Sequence, residues 1–130
     1  MKKQYLFCIL LLVTDPAGAD RLRVPSYLTC ERNLVTSWTG TVTHYEREQG
    51  KLVIEMVTDA DTFEQLTLEL PTKSELQQHF YLDNQPFEDK NWYWLEVKEG
   101  ELAASRSATV WLCLDNKTKP VINWIPNPRL

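Results

Sequence analysis

Two consecutive runs constrain the fold more than anything else in this chain. Lys51–Thr58 (KLVIEMVT) puts Leu52, Ile54 and Met56 on one side, and residues 62–70 (TFEQLTLEL) put Leu66, Leu68 and Leu70 opposite Gln65, Thr67 and Glu69. Strand side chains alternate between faces, so a period of two over this length calls for extended chain with one dry and one wet face. Asp59-Ala60-Asp61 marks the turn between the runs. Ahead of them, residues 33–48 (NLVTSWTGTVTHYERE) are rich in Val, Thr, Trp and Tyr, with Gly40 in the middle. They read as a long strand that the glycine lets bend or bulge, joined through Gln49-Gly50 as a hairpin.

After Pro71 the pattern changes. Thr72-Lys73-Ser74-Glu75 fits a capping box, and Leu76 and Phe80 follow at i, i+4 spacing, which predicts a short helix of about two turns. Residues 83–91 form a polar loop, 92–98 (WYWLEVK) a fourth strand and 108–114 (ATVWLCL) a fifth, with 99–107 a loop or a wide hairpin tip. In the tail, 115–130, Pro120, Pro126 and Pro128 argue against a central strand. Val121, Ile122, Trp124 and Ile125 are too apolar to hang free, so the tail is expected to pack on the surface of the domain. Three strands, a helix and two strands is the order of the OB-fold. The expected class is therefore all-β with one short helix, a small five-stranded OB-like or related β-barrel with the helix between strands 3 and 4. Such folds host many functions, so activity has to be argued from a site.

The first residues place the chain. Lys2 and Lys3 precede an apolar run from Tyr5 to Val13, and Ala17-Gly18-Ala19 precedes Asp20, the pattern of a secretory signal over residues 1–19. The run is too short to span a bilayer as a helix. Residues 20–130 are then one domain, periplasmic or secreted, with no membrane insertion after cleavage. Cys8 leaves with the signal, and the remaining pair, Cys30 and Cys113, reads as one disulfide in an oxidising compartment. Without Lys2, Lys3 and Asp15 the 14 basic and 18 acidic side chains become 12 and 17, a net charge of −5. That surface repels nucleic acid and anionic lipid and favours a cationic partner.

The stretch NWYWLEVKEG carries the candidate site. Read as a strand, it turns Tyr93, Leu95 and Val97 into the core and Trp92, Trp94, Glu96 and Lys98 outward. The fifth strand likewise turns Val110, Leu112 and Leu114 inward and Trp111 outward beside Cys113. Outward tryptophans beside polar groups suit a saccharide face or a protein partner. The competing reading is a second apolar layer, covered by the tail and by the entry arm, residues 20–29, that the disulfide ties down. Trp111 is the ring most suited to such cover.

Reactive chemistry is sparse. His44 and His79 are the only histidines, and no set of His and Cys remains at zinc spacing. Asp59 and Asp61 lack the glycine and distal carboxylate of a calcium loop. No nucleophile elbow or phosphate loop is present, so no catalytic residue, metal or cofactor is assigned. Asn116-Lys117-Thr118 matches a glycosylation acceptor, a match that is idle if the Met-Lys-Lys start means a bacterial exported protein.

The segments YLTCERN, from Tyr27, and VWLCLDN, from Val110, resemble the family of membrane-bound inhibitors of C-type lysozymes. That resemblance implies a small β-barrel, a cysteine bridge between chain ends, and a loop inserted into a basic hydrolase. The family's Ser-Gly loop motif has no counterpart, because Ala103-Ala104-Ser105 lacks the glycine and the flanking aromatic; no inhibitory residue is carried across. The expected function is an exported, non-enzymatic binding module with a protein ligand, such as a basic lytic enzyme, or a saccharide ligand. The alternatives are a small hydrolase whose Glu55, Glu69 and Glu96 converge, and a structural accessory domain whose tail or edge strand pairs with an envelope assembly.

Overall fold

The computed structural model describes residues 23–126. The expected signal segment, the cleavage point at Asp20 and Pro128 lie outside the described residues. In chain order the elements are β1 (Val35–Glu48), β2 (Lys51–Thr58), β3 (Phe63–Glu69), α1 (Lys73–Gln77), β4 (Phe80–Leu82), β5 (Gln85–Pro86), α2 (Asn91–Leu95), β6 (Glu96–Lys98), β7 (Glu101–Leu102), β8 (Arg106–Cys113) and β9 (Val121–Ile125). No helix among the described residues is long and apolar enough to cross a membrane.

Seven strands form one open sheet in the order β3-β2-β1-β8-β9-β4-β5, and β6 and β7 form a separate hairpin. Neighbours are antiparallel except β4 and β9, which are parallel. The expected barrel does not close. After β3 the chain crosses by way of α1 to the opposite end of the sheet, so β3 and β5 finish as two edges with the other strands between them. Element order alone does not say which distant strands pair, and here the pairing leaves the sheet open.

The β1–β2–β3 meander follows the alternation in the sequence, with Leu52, Ile54, Met56, Leu66 and Leu68 all buried. β1 is long enough to pair with β2 along one edge and β8 along the other. Its bulge sits at Thr43, between Val42 and His44, and not at the expected Gly40. Gly40 is needed for another reason: it lies so close to the Val57 carbonyl and Thr58 that a Cβ would overlap them. The bulge reverses the alternation. Trp38 and Val42 face the core before it, and Tyr45 and Arg47 after it.

The apolar tail is a central strand. β9 fits between Pro120 and Pro126, so neither proline removes a ladder hydrogen bond, and Ile122 and Trp124 are fully buried between β8 and β4. Trp124, Phe80, Phe87 and Trp92 pack edge-on or tilted, with neighbouring centroids at 5.1–5.6 Å. Thr72 caps α1, its Oγ1 accepting from Glu75 N–H at 3.1 Å, and Leu76 drops into this cluster. Asp83 and Asn84, both with positive φ, make the tight β4–β5 turn inside what reads as a polar loop.

The other face of the sheet is covered by the entry arm. Cys30 and Cys113 are bridged, with Cα atoms 6.0 Å apart. Tyr27 stacks on Tyr81 at 3.7 Å, and its hydroxyl donates to Asn84 Oδ1 at 3.0 Å. Burial, with Tyr81 beside it, pushes the Tyr27 hydroxyl up to about 12. Trp111 is buried beneath this arm and lies outside the main core cluster, so β8 is covered on both faces. Leu114, past the end of β8, is 62 % exposed and does not enter the core.

The bridge closes 83 residues, which stabilises the fold by at most about 4–5 kcal/mol in the chain-entropy picture. Cys30→Ser with Cys113→Ser should therefore lower unfolding stability by up to that amount in urea titration. It should also shift the Trp111 indole N–H signal toward that of a solvated ring. An unchanged Trp111 signal would mean that the arm is held without the bridge.

Candidate functional site

Residues 92–98 are not one strand: only Glu96–Lys98, β6, is extended. Asn91–Leu95 forms one helical turn, α2, and the buried positions are Trp92, Leu95 and Glu96, an i, i+3, i+4 set. The split expected from a period of two fails at Trp92, Tyr93, Glu96 and Val97, while Leu95 is buried and Lys98 exposed as expected. Trp92 is 7 % exposed, whereas Tyr93 is 86 % and Val97 65 % exposed. Trp94 is half-buried beneath the Arg106 guanidinium, which sits 4.1 Å from the ring and donates through Nη2 to the Trp94 carbonyl at 2.6 Å. Lys98 stays on the surface, 3.4 Å from Glu101.

Glu96 is the residue whose role the sequence hid. Its carboxylate enters the core and meets Arg47, whose side chain is fully buried. Arg47 Nη2 donates to Oε1 at 2.8 Å and Nε to Oε2, a bidentate pair. The Tyr45 hydroxyl also donates to Oε2, and Gly100 N–H donates to Oε1 at 2.9 Å. The remaining reach of Arg47 goes to the Gln49 carbonyl, at 2.8 Å from Nη1. Gly100 has φ 84°, and a Cβ there would stand 2.5 Å from the Arg47 carbonyl, so only glycine lets the β6–β7 turn come this close.

These contacts set the charges. Burial alone would raise the Glu96 carboxyl, but the hydrogen bonds from Arg47, Tyr45 and Gly100 outweigh it and hold the group below its ordinary range. Burial and then the Glu96 hydrogen bond push Tyr45 well up, so it remains a neutral donor. Glu96 is thus a spent carboxylate, with no lone pair aimed at a ligand.

Above the pair lies Trp92. Arg47 is 4.9 Å from its ring centroid and Lys73 Nζ 4.6 Å, and its Nε1 donates to Gln77 Oε1 at 2.6 Å. An open groove of about 550 Å³ runs over this corner, lined among others by Lys73, Asp89, Tyr93, Val97, Lys98 and Glu99. Of the expected binding residues, Trp92, Glu96 and Lys98 come together here and Trp94 packs behind. Tyr93, assigned to the core from its alternation, is the exposed ring.

The other candidates fall elsewhere. Glu55 and Glu69 are exposed on the face of the meander opposite its core residues, while Glu96 is buried on the core side, so these three do not converge. His44 pairs with Glu46 on the surface at 3.0 Å, and His79 Nδ1 lies 3.1 Å from the Pro120 carbonyl. Asp59 and Asp61 form a turn tied by the Thr58 and Thr62 hydroxyls, 2.7 Å apart. Cys30, Cys113 and Asp115 cluster, but both sulfurs are in the disulfide and cannot act as thiolates while oxidised. Asp115 accepts from Thr118 and Lys117 N–H, which hold it down at about 2.

In comparisons with known proteins, no family model, no curated protein and no solved structure matches the chain. The depressed carboxyl of Glu96 makes a signed prediction. Its contribution to stability is complete above the ordinary glutamate value of about 4.3 and is lost as pH falls through the lower folded value. Unfolding free energy should therefore fall on the acid side of about pH 4. Glu96→Gln should flatten that limb, leaving the slope that Asp115 supplies. An unchanged acid slope in the variant would show that Glu96 is not held as its carboxylate by the fold.

Proposed function

We propose that this chain is an exported, non-enzymatic binding domain that holds a basic protein partner at the corner formed by α2 and β6. The observation that carries this reading is the pairing of Tyr93, 86 % exposed, with Val97, 65 % exposed, on one wall of the groove. Neighbouring exposed apolar groups rimmed by polar side chains are the pattern of a protein-contact patch. Tyrosine is among the residues that dominate protein interfaces, because it buries a wide rigid surface at little entropic cost. The corner beneath is fixed by the Arg47–Glu96 pair, so a partner need not order it on binding.

Charge supports the choice of partner. A net charge of −5 beyond residue 19 steers a cationic protein toward the domain, while Lys73, Lys98, Asp89 and Glu99 along the groove give polar complementarity at its rim. A saccharide finds less here: Lys73 caps the Trp92 ring and Gln77 is already bonded to Trp92, Phe87 and Asp89. The hydrolase reading has lost its carboxylate set.

The double variant Tyr93→Ala, Val97→Ser tests the corner. Both side chains are exposed, so stability should stay within about 0.5 kcal/mol of the parent. Retention of the protein captured from envelope extract by the oxidised domain should fall at least about tenfold, and retention by the parent should weaken with salt. Equal retention by parent and variant would move the contact surface away from this corner.

A further inference from the structure

The two ends of the sheet differ. At one, β5 is two residues long and finishes in Pro86, which has no N–H to offer. At the other, β3 is seven residues, about 23 Å of extended chain, and its register with β2 runs without a shift. The hydrogen bonds at the ends of this pair, Thr58 N–H to the Thr62 carbonyl and Leu70 N–H to the Gly50 carbonyl, both 2.9 Å, fix its phase. Glu64, Leu66 and Leu68 therefore turn their backbone groups toward β2, and Phe63, Gln65, Thr67 and Glu69 turn theirs outward. Among the described residues, no turn or loop backbone takes up those outward groups.

Folded proteins blunt such an edge with a bulge, a proline, charged side chains (lysine above all) or a cover. β3 contains no proline or lysine, and the bulge of the meander lies in β1. What β3 carries is negative charge and one exposed ring. Glu64 and Glu69 lie on the strand, Glu55 stands across from Gln65, and Asp59 and Asp61 occupy the turn at one end. Lys51, across from Glu69, is the only cation paired with the strand. Phe63 is 82 % exposed. None of these residues lines the groove at α2 and β6.

We propose that β3 is a docking edge for an extended basic segment of a partner protein, which adds to the seven-stranded sheet as an eighth strand. Main-chain hydrogen bonds to the four outward residues would supply affinity, and alternate side chains would supply selectivity. On the core side the incoming strand meets Glu64, Leu66 and Leu68, and on the other Phe63, Gln65, Thr67 and Glu69. A matching segment therefore carries aliphatic residues opposite the leucines and Lys or Arg opposite the two glutamates. A second copy of this strand brings two more glutamates and no cation. Charge complementarity thus selects a foreign basic strand over self-pairing.

The test uses the synthetic heptapeptide Lys-Val-Thr-Val-Thr-Lys-Val, which in antiparallel register sets valine opposite Leu68 and Leu66 and lysine opposite Glu69 and Glu64, with the same peptide carrying glutamate for lysine as control, added to the nitrogen-15-labelled oxidised domain. The amides of Phe63, Gln65, Thr67 and Glu69 should exchange rapidly in the free protein and slow by at least about tenfold with the lysine peptide. Protection should weaken as salt is raised. Gln65→Pro removes an outward N–H without touching the β2 ladder and should abolish the protection. Should that variant fold poorly, Glu64→Gln with Glu69→Gln should weaken binding by roughly three- to tenfold while keeping the fold. Four results would overturn the proposal: no protection at millimolar peptide, equal protection by the glutamate peptide, protection confined to other amides, or protection of these four that grows with protein concentration alone, which would assign the edge to a second copy.

Discussion

An arginine and a glutamate removed from water are tolerable only if nearly every donor and acceptor between them is used. Arg47 and Glu96 meet that demand through a bidentate contact, the Tyr45 hydroxyl, Gly100 N–H and the Gln49 carbonyl. Those partners come from the end of β1, the β1–β2 turn, the joint between α2 and β6, and the β6–β7 turn. A shift in any of them leaves a buried charge short of a partner, which costs several kcal/mol. The pair therefore sets where the segment after β5 can lie against the sheet. Its aliphatic and aromatic neighbours supply most of the burial energy, but burial is non-directional and would accept many registers.

Everything at the candidate corner follows from that placement. With Glu96 pointing inward, one helical turn before it also brings Trp92 and Leu95 inward, and Trp92 closes the roof over Arg47. The same turn sends Tyr93 out, and alternation with Glu96 along β6 sends Val97 out. Exposed apolar groups on a fixed corner are thus the counterpart of a charged group in the core. On the opposite face of the sheet the disulfide plays the comparable role, holding Tyr27 on Tyr81 and the arm over Trp111.

What was legible in the sequence was local. β2, β3 and the Thr72 cap follow from alternation and capping chemistry, and the bridge from the two cysteines that remain beyond the expected signal segment. The bulge at Thr43 was not legible. Continued alternation from Trp38 and Val42 would carry His44 and Glu46 into the core, and the extra residue puts Tyr45 and Arg47 there instead. Residues 92–95 were misread because three aromatics in a row suggest a strand, while the spacing of Trp92, Leu95 and Glu96 fits a helix only once Glu96 is known to be buried. β9 was misread because three prolines stand near it, although five residues fit between Pro120 and Pro126. The open sheet depends on which distant strands pair, and no residue pattern within one strand carries that information.

A double-mutant cycle on Arg47→Met and Glu96→Leu tests the coupling most directly. If the two side chains depend on one another as the geometry implies, each single change should cost about 3–5 kcal/mol by stranding its partner's charge. The double variant should lie near the parent or above it, giving a coupling energy of several kcal/mol. Two single losses that simply add in the double variant would show that Arg47 and Glu96 are not paired in the core, and the placement of α2, β6 and the groove above them would need another cause.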